Sequence, residues 1–218
     1  FTATEIAYAD LGSRFVVSEL GTPLGEVALK VPGEINVQNA LAALCAARAA
    51  GLPFEPTAQA LAEFHGVERR FQIVGRGAFT VVDDYAHHPT AIAQTIAAAR
   101  GFAAGAPVCV AFQPHRYSRT SYLKDDFATA LRAADRVWLA PIYAASEAPL
   151  PGITSRSIGE PLAAAGTSVA YVDDVEALVD VLPREVPDGA LVLMLGAGSI
   201  SAVAHRLGER VAAAPLAR

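Results

Sequence analysis

Two short segments of the 218-residue chain hold most of the side chains able to do chemistry. The run Asp83-Asp84-Tyr85-Ala86-His87-His88-Pro89 carries carboxylates, a phenol and two imidazoles. Gln113-Pro114-His115-Arg116-Tyr117-Ser118-Arg119-Thr120 carries an imidazole and two guanidinium groups. Tyr143, Ser146 and Glu147 form a third polar group further on. Three of the five histidines therefore stand in the first two segments. Guanidinium groups take carboxylates or phosphates through forked, charge-assisted hydrogen bonds, and imidazoles move protons near neutral pH. The combination is an anion site with a proton-transfer group beside it; the alternative is a chance grouping of solvated loop residues. A metal is not expected. His87 and His88 are adjacent, so their side chains point apart, and no cysteine pair or HxxxH helix pair supplies further ligands.

Smaller signals lie elsewhere. Arg69-Arg70 is ordinarily a solvated pair, but an arginine beside a cleft reaches a bound phosphate. Asn36 and Asn39, three residues apart at the start of a predicted helix, place both amides on one side of its first turn. Asn36 taken alone reads as an N-cap. Gly196-Ala197-Gly198-Ser199 follows the last predicted strand and offers backbone N–H groups to an anion, yet it lacks the third glycine of a dinucleotide fingerprint. It reads equally as a tight turn.

The elements that must position these residues follow from hydrophobic periodicity. From Phe71 onward strands alternate with helices, the pattern of repeated βαβ units. Strands are predicted at 79–84, 108–112, 137–140, 168–172 and 191–195, with 71–74 joined in a hairpin through Gly75-Arg76-Gly77. Helices are predicted at 90–103, 122–133, 155–165, 175–182 and 200–213, with Gly101 and Gly166 past helix ends. The first third reads as strands 14–18 and 26–31, divided by a turn at Gly21-Thr22-Pro23, and helices 36–50 and 57–64, the second beginning after Pro56. The fold class is α/β: a Rossmann-like, doubly wound, mostly parallel sheet over residues 68–218, preceded by a partial αβ segment over 1–67. Ligands of open parallel sheets bind beyond the carboxyl ends of the strands, where the three polar segments lie.

Composition sets the outer bounds. Hydrophobic residues make up 53% and charged residues 18%, enough apolar surface to fold and too little charge for disorder. Alanine accounts for 46 positions, without any uninterrupted apolar stretch of the ~20 residues a membrane span needs. A net charge of -5 argues against nucleic acid or anionic membrane as a partner. Cys45 and Cys109 read as buried small hydrophobes without CxxC spacing, which predicts a reducing, cytoplasmic setting. No basic region followed by an apolar one succeeds Phe1, so no signal peptide is predicted.

Several strings together resemble a known family. Pro-Gly-Glu-Ile-Asn-Val-Gln-Asn-Ala from Pro32, Gly66-Val67-Glu68-Arg69-Arg70-Phe71, the run from Asp83 to Thr90, and Phe112 through Thr120 occur in the order and spacing of the Mur ligases. The His87-His88-Pro89 string and the segment from Pro114 to Thr120 point to the branch that adds L-alanine to UDP-N-acetylmuramate. The related ligase that recycles murein tripeptide shares the first of these.

The resemblance implies the C-terminal half of a three-domain, cytoplasmic, ATP-dependent enzyme of peptidoglycan precursor synthesis. Residues 1–67 would be the end of its central ATPase domain and 68–218 its Rossmann-like C-terminal domain. Its chemistry passes through an acyl phosphate, which turns a poor electrophile into one with a good leaving group. Carried over, the resemblance implies that Asn36 and Asn39 contact adenine, Arg70 the terminal phosphate, and Asp84 the ribose or phosphate region. It assigns L-alanine to His87, Arg116 and Arg119, with Tyr85 and His88 beside them, and gives Arg70 and His87 catalytic parts. Mg2+ would be held mainly by residues outside this chain. One departure is Ile35, where the family commonly has histidine. No GxxxxGK(S/T) segment occurs, and neither lysine, Lys30 or Lys124, sits in a glycine-rich loop, so the 218 residues alone are expected to be inactive. Two other readings are a non-catalytic binding or regulatory module of the same fold, and a nicotinamide-dependent oxidoreductase resting on fold pattern alone.

Overall fold

A computed structural model describes residues 1–9, 12–31 and 33–214; Pro32, which heads the first quoted string, lies outside the described residues. The chain divides into two compact units, Phe1–Val67 and Glu68–Arg218.

The first unit is an antiparallel meander with two helices. Strands β1 (Thr2–Ala9), β2 (Gly12–Glu19) and β3 (Thr22–Leu29) pair in sequence order. In β2 the alternation is plain: Ser13, Phe15 and Val17 are buried while Arg14 is exposed. Phe15, Val17, Val27 and Leu29 pack with Val37, Ala40 and Leu44 of α1 (Glu34–Ala49) and with Phe54 of α2 (Phe54–Ala62). The β2–β3 turn is Leu20-Gly21, both at positive φ (51° and 85°), the backbone a two-residue hairpin loop requires. The expected turn at Gly21-Thr22-Pro23 is thus displaced, and Thr22 already pairs with Glu19. Strand β1 was not anticipated, because it is largely exposed and carries no apolar alternation.

Three other expectations for this unit are corrected. Helix α1 starts at Glu34 with Gly33 (φ 93°) before it, so Asn36 is a first-turn residue whose N–H donates to the Gly33 carbonyl at 3.0 Å, not the N-cap. Helix α2 starts at Phe54 rather than after Pro56, since a first-turn N–H has no intrahelical partner and proline there loses nothing. Cys45 is exposed, and the buried face of α1 runs through Val37, Ala40 and Leu44 instead.

The second unit is a six-stranded sheet covered on both faces. Its elements are β4 (Gln72–Arg76), β5 (Thr80–Asp84), α3 (Pro89–Ala103), β6 (Val108–Phe112), α4 (Tyr117–Leu131), β7 (Arg136–Leu139), α5 (Arg156–Ala164), β8 (Ser168–Tyr171), α6 (Leu178–Glu185), β9 (Leu191–Leu195) and α7 (Ile200–Ala213). The order is β4-β5-β9-β6-β7-β8, with β4 antiparallel at one edge and the other strands parallel. Every residue of β6 and β9 is buried, the mark of parallel strands covered on both sides. Val82, Val110 and Leu193 face α3, α4 and α5, whereas Val81, Cys109, Trp138 and Met194 face α6 and α7. Burial pushes the Cys109 thiol up to about 11, so it behaves as a small hydrophobe, as expected.

Helix α4 begins at Tyr117, ahead of the expected residue 122, because its polar first turn carries no apolar periodicity. Helix α3 runs through Gly101 and stops at Ala104-Gly105, both at positive φ. Strand β9 lies between β5 and β6 but sends its chain to α7 on the opposite face from α3 and α4. In open parallel sheets such a reversal marks the place, beyond the carboxyl ends of the strands, where ligands bind.

Backbone meets backbone where β4 crosses α7. A Cβ built on Gly75 would lie 2.3 Å from the Gly208 Cα, and one on Gly208 would lie 2.3 Å from the Val74 carbonyl oxygen. Helix propensity alone would make Gly208→Ala stabilising by about 1 kcal/mol. Overpacking reverses the sign: a loss of about 3 kcal/mol is expected, read as a lower midpoint in urea unfolding. An unchanged midpoint would mean that β4 is not seated on α7.

Candidate functional site

Successive strand residues point to opposite faces, so Asp83 and Asp84 at the end of β5 do different work. Both are buried. Asp84 accepts the Ala86 N–H on Oδ1 and the Phe71 N–H on Oδ2, each at 2.8 Å, pinning the loop after β5 to the chain entering β4. Burial pushes its carboxyl above the usual range, and the two amide donors and Arg70 offset this in part. Asp83 accepts the Ser201 hydroxyl at 2.5 Å and lies 3.7 Å from both Arg69 Nε and His205 Nε2.

The loop pinned by Asp84 presents Tyr85, His87 and His88. His87 Nδ1 lies 2.8 Å from the Tyr85 carbonyl oxygen. A carbonyl only accepts, so Nδ1 carries the proton and the neutral ring keeps a bare Nε2. Burial lowers the His87 pKa, the hydrogen bond to the Tyr85 carbonyl opposes it, and Arg119, His88 and Arg70 lower it further. His88 is the exposed residue before Pro89, the first residue of α3.

His87 is the second of four rings in a row across the strand ends. Its ring meets Tyr85 edge-on at 4.8 Å and His115 at 5.9 Å, and His115 stacks on Tyr143 at 5.5 Å. His115 Nδ1 is 3.4 Å from Arg119 Nη1, which can only donate, so here the bare nitrogen is Nδ1. Burial, Arg119, His87 and Arg116 lower its pKa. The loops after β6 and β7 are zipped by Arg116 N–H to the Tyr143 carbonyl and Tyr143 N–H to the Pro114 carbonyl, both at 2.8 Å.

Arg116 precedes α4 with φ 72°, a left-handed backbone held by Thr120, whose N–H and hydroxyl both donate to the Arg116 carbonyl. Its exposed guanidinium lies 3.8 Å from Glu147. Glu147 accepts the Ser118 hydroxyl at 2.6 Å and N–H at 2.9 Å, which together with Arg116 hold its carboxyl below the usual range. Arg119 lies in the first turn of α4, with its Nη1 toward His115. The structure thus brings Arg119 and Arg70 within electrostatic reach of His87, and Arg116 and Arg119 within reach of His115. Arg70 is exposed and has no hydrogen-bond or ion-pair partner among the described residues. In the first unit, Asn36 is half-buried and Asn39 exposed on the first turns of α1.

The Gly196–Ser199 turn is filled from within. A Cβ on Gly198 would come within 2.6 Å of both Gln113 Oε1 and the Tyr143 ring. Gln113 Oε1 accepts the Ile200 N–H at 3.0 Å, and its Nε2 donates to Ser199 at 3.2 Å. The start of α7 is therefore capped by a buried side chain, the tight-turn reading. Sequence reasoning did not single out Gln113, Asp83, Arg69 or Tyr143 for these roles. The adjacency of Asp83 and Asp84, which forces one carboxylate to each face, was the signal available.

Residues 69–198 match the family model described as "Mur ligase, glutamate ligase domain". The chain belongs to the Mur ligase family. It is 49% identical over 208 residues to the UDP-N-acetylmuramate--L-alanine ligase of Acidithiobacillus ferrooxidans, covering 93% of this chain and 45% of that one. It is 44% identical to the ligase of the same name from Syntrophotalea carbinolica, covering 96% and 46%. Among solved structures, the UDP-N-acetylmuramate-alanine ligase MurC of Thermotoga maritima superimposes with a TM-score of 0.81 at 31% identity, over 95% of this chain and 45% of that one. The chain thus spans about half the length of the curated relatives it matches. This Mur ligase chain has the α/β architecture, with a mostly parallel sheet, that its sequence predicts.

His87 and His115 are both expected to titrate below the ordinary value of 6.5. In the window just under 6.5 the unfolded chain then binds more protons than the folded one, so stability rises with pH there. The contribution is complete above 6.5 and is lost as pH falls through the depressed values. An NMR titration of the ring protons, with urea midpoints at acid and neutral pH, checks both; a His87 resonance titrating at or above 6.5 would remove the neutral imidazole.

Proposed function

We propose that this chain is the amino-acid-binding part of an ATP-dependent cytoplasmic ligase that joins L-alanine to UDP-N-acetylmuramate. The observation that carries the reading is a neutral imidazole with a bare Nε2, His87, grouped with Arg119 and the neighbouring Arg116. An amino acid at neutral pH presents a carboxylate and an ammonium, and it attacks only through the neutral amine. Arg116 and Arg119 take the carboxylate as charge-assisted donors. His87 Nε2 accepts a hydrogen bond, and then a proton, from the amine. Tyr85 and His88 border that place. The amine attacks the acyl phosphate formed from the lactyl carboxylate and ATP; the C–N bond forms as the C–O bond to phosphate breaks.

Arg70, the exposed guanidinium beside the pinned loop, takes the terminal phosphate, and Asp84 holds the loop next to the nucleotide ribose or phosphate region. Asn36 and Asn39 meet the adenine. On this reading 1–67 is the end of the central ATPase domain and 68–218 the C-terminal domain. Mg2+ accompanying the ATP would be held mainly by residues of the ligase outside this chain, and no step here runs through it. No helix among the described residues is long and apolar enough to cross a membrane.

In the full-length ligase, Arg116→Ala is expected to raise the KM for L-alanine roughly 10- to 100-fold, the worth of a lost hydrogen bond to a charged group, with the KM for UDP-N-acetylmuramate little changed. An unaltered alanine dependence would end the role given to Arg116. The 218-residue chain assayed alone for phosphate release is expected to show no turnover, because it has no GxxxxGK(S/T) cradle for a triphosphate. Sustained release with all three substrates present would overturn the reading.

A further inference from the structure

Arg69 has the chemistry of its exposed neighbour Arg70 but is drawn inward. Its φ of 59° is left-handed, a conformation an L residue keeps only where surrounding contacts determine it. Those contacts are specific. Nη2 donates to the Gly196 carbonyl at 2.6 Å, and the backbone N–H donates to Gln72 Oε1 at 2.9 Å. Nε lies 3.7 Å from the fully buried Asp83 carboxylate, which Ser201 also holds. Tyr85 is gripped twice: its N–H donates to the Arg69 carbonyl at 2.7 Å, and its ring lies under the guanidinium at 4.7 Å. The Tyr85 carbonyl in turn takes the Nδ1 proton of His87.

We propose that Arg69, anchored by Asp83, is a positioning residue that fixes Tyr85 and thereby sets the His87 tautomer, keeping Nε2 bare toward the amine of an amino-acid substrate. Charge at position 69 without the planar fork does not suffice. A lysine there cannot both reach the Gly196 carbonyl and lie flat on the Tyr85 ring.

The test is a long-range 1H–15N spectrum of the imidazoles in the 218-residue chain above neutral pH. The unaltered chain is expected to show a protonated Nδ1 and a bare Nε2 for His87; the reverse tautomer overturns the proposal without any variant. In Arg69→Lys the single-tautomer signature of His87 is expected to be lost, with both nitrogens moving toward averaged shifts. His115, whose bare Nδ1 faces Arg119, keeps its own signature. Asp83→Asn retains an acceptor for Ser201 and is expected to change His87 in the same direction, so it serves if Arg69→Lys does not fold. A folded variant with unaltered His87 shifts refutes the positioning role.

An activity arm rests on the ligase reading. Arg69→Lys in the full-length ligase raises the KM for L-alanine on the order of tenfold while that for UDP-N-acetylmuramate holds. Equal rises in both would mark Arg69 as merely structural and overturn the proposal. The two readings fail separately: should Arg116→Ala leave alanine dependence intact while Arg69→Lys still disperses the His87 tautomer, the ligase assignment falls and the positioning role stands.

Discussion

Two consecutive carboxylates at the end of a covered strand cannot share a face, and both Asp83 and Asp84 are buried, so each must be compensated on its own side of the sheet. Asp84 solves this with backbone, accepting amides from Phe71 and Ala86. Asp83 is met by side chains on one oxygen, which accepts from Ser201 and lies 3.7 Å from Arg69 and His205, while its buried Oδ1 has no hydrogen-bond partner among the described residues. The loop that follows β5 is thereby tied to the start of its own unit on one side and to α7 on the other. Breaking a buried charge pair by removing one partner typically costs about 3–5 kcal/mol, because the remaining charge is stranded. The placement of Arg69, Tyr85 and His87 follows from where these two carboxylates hold the chain, while His115, Arg116 and Tyr143 are set by the zipped loops after β6 and β7.

A second constraint is electrostatic. Partial burial beside permanent cations disfavours the charged form of an imidazole. The chain as a whole is acidic, with a net charge of -5, so the positive field around His87 and His115 is local. Arg70 and Arg119 depress His87, and Arg119 and Arg116 depress His115. Glu147 limits that field on one side. Held ionised by Ser118, it stands 3.8 Å from Arg116 without a tight ion pair.

How much of this the sequence disclosed depended on whether a feature has a period. The continuous apolar runs of β6 and β9 and the helix 200–213 were legible because burial on both faces, or on one helical stripe, leaves its mark residue by residue. Strand β1 was not, since an exposed edge strand has no buried face to record. The start of α4 was hidden for the opposite reason: Tyr117, Ser118 and Arg119 are chosen for the site, and their polarity masks the helix they begin. The clustering of His87, Arg116 and Arg119 could be inferred from strand ends alone. The partners of Asp83 could not, because Arg69 and Ser201 stand 14 residues before it and 118 after, joined only by the fold. Cys45 misled because an alanine-rich helix offers little contrast between its faces; alanine suits either, and only Val37 and Leu44 disclose which is inward.

The crevice beside β9 is where an open sheet of this kind would seat a nucleotide phosphate on the glycine turn and the helix behind it. Here that space is occupied. Gln113 caps α7, the Tyr143 ring lies against Gly198, and the Gly196 carbonyl is bonded by Arg69. The Gly196 N–H goes to the Asp84 carbonyl and the Ile200 N–H to Gln113, and Gly198 seats the Gln113 and Tyr143 side chains from the loops after β6 and β7. On the proposed reading, recognition lies further out, on Tyr85, His87 and the arginines of the rim, where a guanidinium would take a carboxylate and a bare nitrogen an amine. Filling the crevice and exposing the arginines are therefore one arrangement, since the same tyrosine and glutamine that close the turn hold the loops presenting the rim.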